Sequence, residues 1–207
     1  NSSGTISYTI EGANTTSSSL SGTNNATVNI GNVGSFTIRA TQAANGIYAS
    51  STKDITLTIN KATLIATADD KSREFGEENP VFTITYSGFK NGDTKSVLDT
   101  EPTTSTGFTK NSSVGLADIS VSGGSDNNYS FNNVKGTLTI TKAPLTITLD
   151  NKTRIYGDAN PTFTASYSGF KNGETETDLL TQPTIENFAT TTTNVGTANI
   201  TAFGAND

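Results

Sequence analysis

The sequence predicts a mostly β protein built from tandem small modules, and three observations carry that prediction. Residues 75–92, F-G-E-E-N-P-V-F-T-I-T-Y-S-G-F-K-N-G, return at 156–173 as Y-G-D-A-N-P-T-F-T-A-S-Y-S-G-F-K-N-G, at an offset of 81 residues with no insertion or deletion. A fixed period of this length marks repeated units, each with its own small core. Apolar residues alternate with polar ones along most of the chain, the period of a half-buried strand. Each full repeat offers at most one short helical candidate.

The repeat extends well beyond the paired motifs. Lys61-Ala62 returns as Lys142-Ala143, Arg73 as Arg154, and Val114-Gly115 as Val195-Gly196. Backwards from the middle copy, Val33-Gly34 precedes Val114-Gly115, and Leu57-Thr58-Ile59 precedes Leu138-Thr139-Ile140, by the same interval. The expected modules are residues 1–61, 62–142 and 143–207. In register Asp207 corresponds to Asp126, so the third copy has no counterpart of residues 127–141. The chain thus reads as a piece of a longer array.

Strands are expected at Ile6-x-Tyr8-x-Ile10, Val28-x-Ile30, Phe36-x-Ile38-x-Ala40 and Ile55-x-Leu57-x-Ile59 in the first segment. The middle copy offers Phe82-x-Ile84-x-Tyr86, Ala117-x-Ile119-x-Val121 and Leu138-x-Ile140. The third offers Leu145-x-Ile147-x-Leu149, Phe163-x-Ala165-x-Tyr167 and Ala198-x-Ile200-x-Ala202. Threonine fills many intervening positions, being β-branched yet polar, so one sheet face is expected to pack and the other to be wet. After Asn91-Gly92 and Asn172-Gly173 alternation stops. A short helix is favoured there, with Asp93 as cap in the middle copy and Thr175-Glu-Thr-Asp178 as a capping box in the third; the competing reading is a tight Asn-Gly hairpin turn. The joints at Lys61-Ala62-Thr63 and Lys142-Ala143-Pro144 are short, so entry and exit must lie at opposite ends of each module. That requires the first and last strands to run parallel.

Composition excludes several functions. The formal net charge is −6, and the chain has no Cys and no His. Nucleic-acid and anionic-membrane partners call for basic patches, which are lacking here. Disulfides and thiolate or imidazole metal sites are ruled out. No apolar run approaches the roughly 18 residues of a membrane span. No nucleophile elbow and no Cys or His pair supports catalysis, so the chain is expected to be non-catalytic and to need no cofactor.

Lys142-Ala-Pro-Leu-Thr-Ile-Thr, Tyr156-Gly-Asp-Ala-Asn-Pro161 and Tyr167-Ser-Gly-Phe-Lys-Asn-Gly173 together resemble the MBG domain of bacterial surface proteins, of the type marked by Tyr-Gly. The copy at 62–142 is similar, with Phe75 in place of the tyrosine. The resemblance implies a β-grasp-like fold for both copies. The first segment, with Gly34-x-Phe-Thr-Ile-x-Ala-Thr41, is similar to bacterial Ig-like domains, which implies a β-sandwich. It also implies an exported protein displayed at the cell surface, as in the large adhesins of gliding bacteria.

The candidate ligand-binding residues are Phe89, Lys90 and Asn91, with Phe170, Lys171 and Asn172, where an exposed aromatic would stack on a sugar. The competing reading places each Phe at a buried corner. The turn at Phe75 or Tyr156 is read chiefly as structural, its Gly permissive and its Pro terminating. Glu77, Glu78 and Asn79, or Asp158 and Asn160, could offer oxygen ligands to calcium, yet no Asp-x-Asp-x-Asp run accompanies them. Asp69-Asp70 is a weaker candidate of the same kind. Solvated turn acids are the reading adopted, and no metal site is expected. The expected function is an extended stalk of a surface adhesin. Its partners would be neighbouring modules of the chain and surface glycans or mucin. The alternatives are multivalent glycan- or mucin-binding repeats, or an accessory region of a secreted polysaccharide-active enzyme.

Overall fold

The structure, a computed structural model, describes residues 4–207. In chain order the strands are β1 (Ile6–Glu11), β2 (Ser19–Ser21), β3 (Thr27–Asn29), β4 (Gly34–Gln42), β5 (Ser51–Ile59), β6 (Ala62–Ala68), β7 (Lys71–Glu74) and β8 (Ile84–Ser87). There follow β9 (Thr103–Ser105), β10 (Gly115–Ser122), β11 (Tyr129–Val134), β12 (Gly136–Thr141), β13 (Thr146–Leu149), β14 (Ala165–Ser168), β15 (Thr184–Glu186) and β16 (Thr201–Phe203). The fold is mostly β, in several small sheets, as the alternation predicts.

Two compact units are distinguished, one of residues 4–69, 82–105 and 119–136, the other of 70–81, 106–118 and 137–207. The middle repeat contributes to both.

In the first unit β1, β4 and β5 form an antiparallel sheet. Phe36 and Ile38 are buried on one face, while Arg39 on the other binds Asp54 at 2.7 Å and Glu11 at 3.2 Å. The hairpin β2–β3 lies beside them in sequence, and Thr16 is fully buried, its hydroxyl bonded to Asn14 and Ser18. The same unit holds a second sheet in the order β11-β6-β8. Within it β6 runs antiparallel to β8 and parallel to β11, with Ala62 opposite Tyr129 and Thr67 opposite Val134.

In the second unit β7 runs parallel to β12, with Leu138 opposite Lys71 and Thr141 opposite Glu74. Both ladders share one register, each residue pairing with the one 67 positions later. The segment opening the repeat therefore runs alongside the segment closing it, in the parallel sense that the short joints require. Between the two ladders Asp70 takes the Thr137 N–H at 2.7 Å, so an amide that no strand partner reaches is still satisfied. In the first unit the end of β10 pairs antiparallel with β9, Ser120 opposite Ser105 and Ser122 opposite Thr103.

Alternation sets the core of the middle repeat. Leu64, Ala66 and Ala68 of β6 are buried, as are Ala117 and Ile119 of β10 and Leu138 and Ile140 of β12. Each Leu or Ile so buried contributes about 1.5–3 kcal/mol.

The third repeat shows what the closing segment does. Its counterparts of those residues, Leu145, Ile147, Leu149 and Ile200, are only half-buried, and Ala198 is exposed. The stretch matching β7, residues 152–155, forms no strand, and the match to the eight-residue β10 shrinks to the three residues of β16. Among the described residues no strand pairs with 152–155. A groove of about 770 Å³ opens there, lined by Leu149, Arg154, Phe163, Ala198 and Ile200 among others.

After Asn-Gly the two sequence readings prove to be halves of one structure. Asn91 and Gly92 have φ of 55° and 81°, Asn172 and Gly173 of 52° and 84°, and the Asp93 N–H reaches the Lys90 carbonyl at 2.9 Å. These are the two positive φ angles of a type I′ turn. It leads to a single 3-10 turn, Lys95–Val97 or Glu176–Asp178. The Asp178 carboxylate accepts the Thr175 N–H at 2.7 Å, as a capping box requires. Asp93 does not cap: the residue before the 3-10 turn is Thr94, and the Asp93 carboxylate is engaged by Tyr129.

Candidate functional site

The two motifs that announce the repeat form two turns, each built around buried anchors. The first, Phe75-Gly76-Glu77-Glu78-Asn79-Pro80, is held by Arg73. This side chain is buried; its Nε donates to Asn79 Oδ1 at 2.7 Å, and its terminal nitrogens donate to the carbonyls of Glu74 and Thr109. Asn79 in turn donates to the Phe108 carbonyl at 2.7 Å. A guanidinium has five donors in a rigid fork, so one residue can hold two backbone carbonyls and a side-chain amide together.

The same anchors recur in the third repeat. Arg154 donates to the carbonyls of Asp158 and Thr190, and Asn160 to that of Ala189 at 2.8 Å. The Arg side chains carry this turn, and sequence reasoning noted their recurrence without giving them a role. An Arg at a fixed offset, two residues before an aromatic-Gly turn, was the available signal.

The second turn, Gly88-Phe89-Lys90-Asn91-Gly92, rests on an aromatic cluster. Phe89 is half-buried, 5.9 Å from the Tyr86 ring and edge-on to Tyr129 at 5.4 Å. Tyr129 is buried; its hydroxyl donates to Asp93 Oδ2 at 2.7 Å and accepts the Lys90 N–H at 2.9 Å. Burial, reinforced by Asp93, pushes this phenol above its ordinary range. Burial likewise raises the Tyr86 phenol, whose oxygen has no hydrogen-bond partner among the described residues. A side chain at Gly88 would meet the Thr63 carbonyl at 2.6 Å, and one at Gly169 the Pro144 carbonyl at 2.3 Å, so both turns need glycine to sit this close to the first strand.

In the third repeat the second turn meets the first turn of the repeat before it. Lys171 lies across Gly76, and its Nζ binds Glu77 Oε1 at 2.6 Å. Asn172 Nδ2 donates to the Lys110 carbonyl at 3.4 Å. The Lys171 ammonium holds the Glu77 carboxyl below its usual range, and Glu77 raises Lys171 reciprocally. A pocket of about 660 Å³ adjoins this clasp, lined by Phe75, Leu145 and Phe170 and by Lys142, Glu174 and Asn206 among others.

The structure thus brings Lys171 and Asn172 onto the preceding repeat and leaves Lys90 and Asn91 exposed. Phe89 and Phe170 are half-buried, the latter 5.9 Å from Tyr167. The acids of the first turn are spent on cations: Glu77 on Lys171, Glu78 on Lys110 at 3.4 Å. Asp69 accepts the hydroxyls of Thr83 and Thr85. Among the described residues no three acids gather in a way that would hold a metal ion. Each joint lysine reaches into the repeat that follows it, Lys61 donating to the Asp126 carbonyl at 2.7 Å and Lys142 to that of Asp207 at 2.5 Å. The Val33 N–H donates to Asn128 Oδ1 at 3.2 Å, tying the first segment to the middle repeat.

A family profile described as MBG domain (YGX type) matches residues 64–139 and again residues 145–207. Comparison with curated proteins finds no match.

Proposed function

Because the chain belongs to the MBG domain family of the YGX type, a non-catalytic repeat module found in surface proteins, we propose that it serves as an extended stalk or spacer of a large bacterial adhesin. In this reading the parent protein is exported and displayed at the cell surface, and the modules are 1–61, Ig-like in kind, then 62–142 and 143–207. The observation that carries it is the parallel pairing of the opening and closing segments of the middle repeat, β6 with β11 and β7 with β12. Tension enters at Ala62 and leaves at Thr141. Strands pulled from opposite ends in a parallel ladder must break many hydrogen bonds together, whereas an unzipped hairpin gives them up singly.

The test is a screen of the chain on glycan and mucin arrays, beside the Lys90→Ala/Asn91→Ala variant at exposed positions of the second turn. A stalk leaves both blank. Binding that the variant loses would make the repeats themselves adhesive, each copy weak and the array avid.

A further inference from the structure

We propose that the turn Tyr156-Gly157-Asp158 is a docking surface for the Gly-Phe-Lys-Asn-Gly turn of a further copy of this repeat. The inference rests on the reading of the chain as an array and names the partner that each repeat accepts. Its basis is the clasp already made once within the chain. There the acceptor is Phe75-Gly76-Glu77, with a glycine over which a lysine stem passes and an acid for the ammonium. The donor is Lys171-Asn172, presented by a type I′ turn.

Every acceptor feature recurs 81 residues on, and each is open. Gly157 keeps the positive φ, 92° against 82° at Gly76, but a Cβ there would meet nothing within 4 Å. The turn closes alike in both places, the Glu77 N–H reaching the Glu74 carbonyl and the Asp158 N–H the Ile155 carbonyl, each at 3.2 Å. Arg154 and Asn160 reach the carbonyls of Thr190 and Ala189 as Arg73 and Asn79 reach those of Thr109 and Phe108. The surface is therefore formed before anything docks. Asp158 supplies the negative charge of Glu77. Tyr156 is 58% exposed where Phe75 is half-buried, and Val195 is 91% exposed where Val114 is 46%. A partner of the same kind would cover both. The partner's chemistry follows from the occupied copy. It needs a long cationic stem thin enough to cross a glycine, an adjoining carboxamide donor, and a left-handed Asn-Gly turn to aim the pair.

A zero-length carbodiimide crosslink reads this contact, because it joins a lysine amine to a carboxylate only where the two touch. The protein is lengthened by a second copy of residues 127–207 placed after Asp207, which continues the register. Lys171→Arg at the original position keeps the first clasp charged while leaving the appended turn lysine identifiable by mass. Mass mapping should find Asp158 joined to that appended lysine, and Asp158→Asn should abolish the product. In the unlengthened protein the reagent should join Glu77 to Lys171. Asp158 left unjoined while Glu77 couples would overturn the proposal, and so would failure of both pairs. Neither result touches the stalk reading, which the glycan screen decides.

Discussion

Lys171 Nζ and Glu77 Oε1 lie 2.6 Å apart across 94 residues of sequence, and each belongs to one of the two motifs that define the repeat. Glu77 is held below its usual range, so the pair contributes stability above the ordinary glutamate pKa and loses it as pH falls through the depressed value. The pair is solvent-exposed, and its effect is small and screened by salt. In a carboxyl NMR titration Glu77 should ionise below the usual glutamate range, and Lys171→Ala should return it there.

The paired glycines separate strain from contact. Gly76 and Gly157 have φ of 82° and 92°, so alanine at either costs about 1–2 kcal/mol in backbone strain. At Gly76 the new Cβ would also lie 2.5 Å from Lys171 Cβ, forcing the turns apart. Denaturant titration should find Gly76→Ala clearly more destabilising than Gly157→Ala.

The two arginines test how much the closing segment matters. Arg73 is 8% exposed and its loss strands the Asn79 side chain and the Thr109 carbonyl. Arg73→Ala should cost about 3 kcal/mol, typical of breaking a buried charged network. Arg154 makes related bonds at a half-buried position, and Arg154→Ala should cost about 1 kcal/mol or less. Chemical denaturation of both variants checks the ratio.

Tyr129→Phe removes the bonds to Asp93 and the Lys90 N–H and should cost about 1–2 kcal/mol. Because folding raises this phenol, its contribution is fully present below the ordinary tyrosine pKa near 10 and is lost as pH rises through the folded value. The wild-type protein should therefore lose its advantage over the variant in strongly alkaline solution, as followed by melting temperature against pH.

Most strands were legible because Thr alternates with Ile, Leu, Val or Ala along them, and burial follows that alternation in β6, β10 and β12. Strands β2, β7, β9, β11 and β15 were not. Lys-Ser-Arg-Glu carries no apolar period, and β7 exists only because β12 lies beside it. The Asn-Gly signal was read correctly as a tight turn or as the approach to a helix, and sequence could not say that it is both. At the second turn the sequence located the residues but not their partners. Lys90 and Lys171 occupy identical motifs, and only position in the array makes one exposed and the other clasped to Glu77. The recurrence of Arg73 was legible but its role was not, because anchoring depends on carbonyls such as that of Thr109, 36 positions away.

The most direct test of the account is to pull the chain from its two ends by force spectroscopy. The middle repeat, Ala62 to Thr141, is bounded by parallel ladders and should unfold in one step, releasing about 280 Å of contour at roughly 3.5 Å per residue, less the distance its folded ends already span. That step should come last, at the highest force, after the third repeat, whose core is uncovered, has already yielded. A middle repeat that opens gradually, or no later than the third, would contradict the claim that this fold is built to carry load.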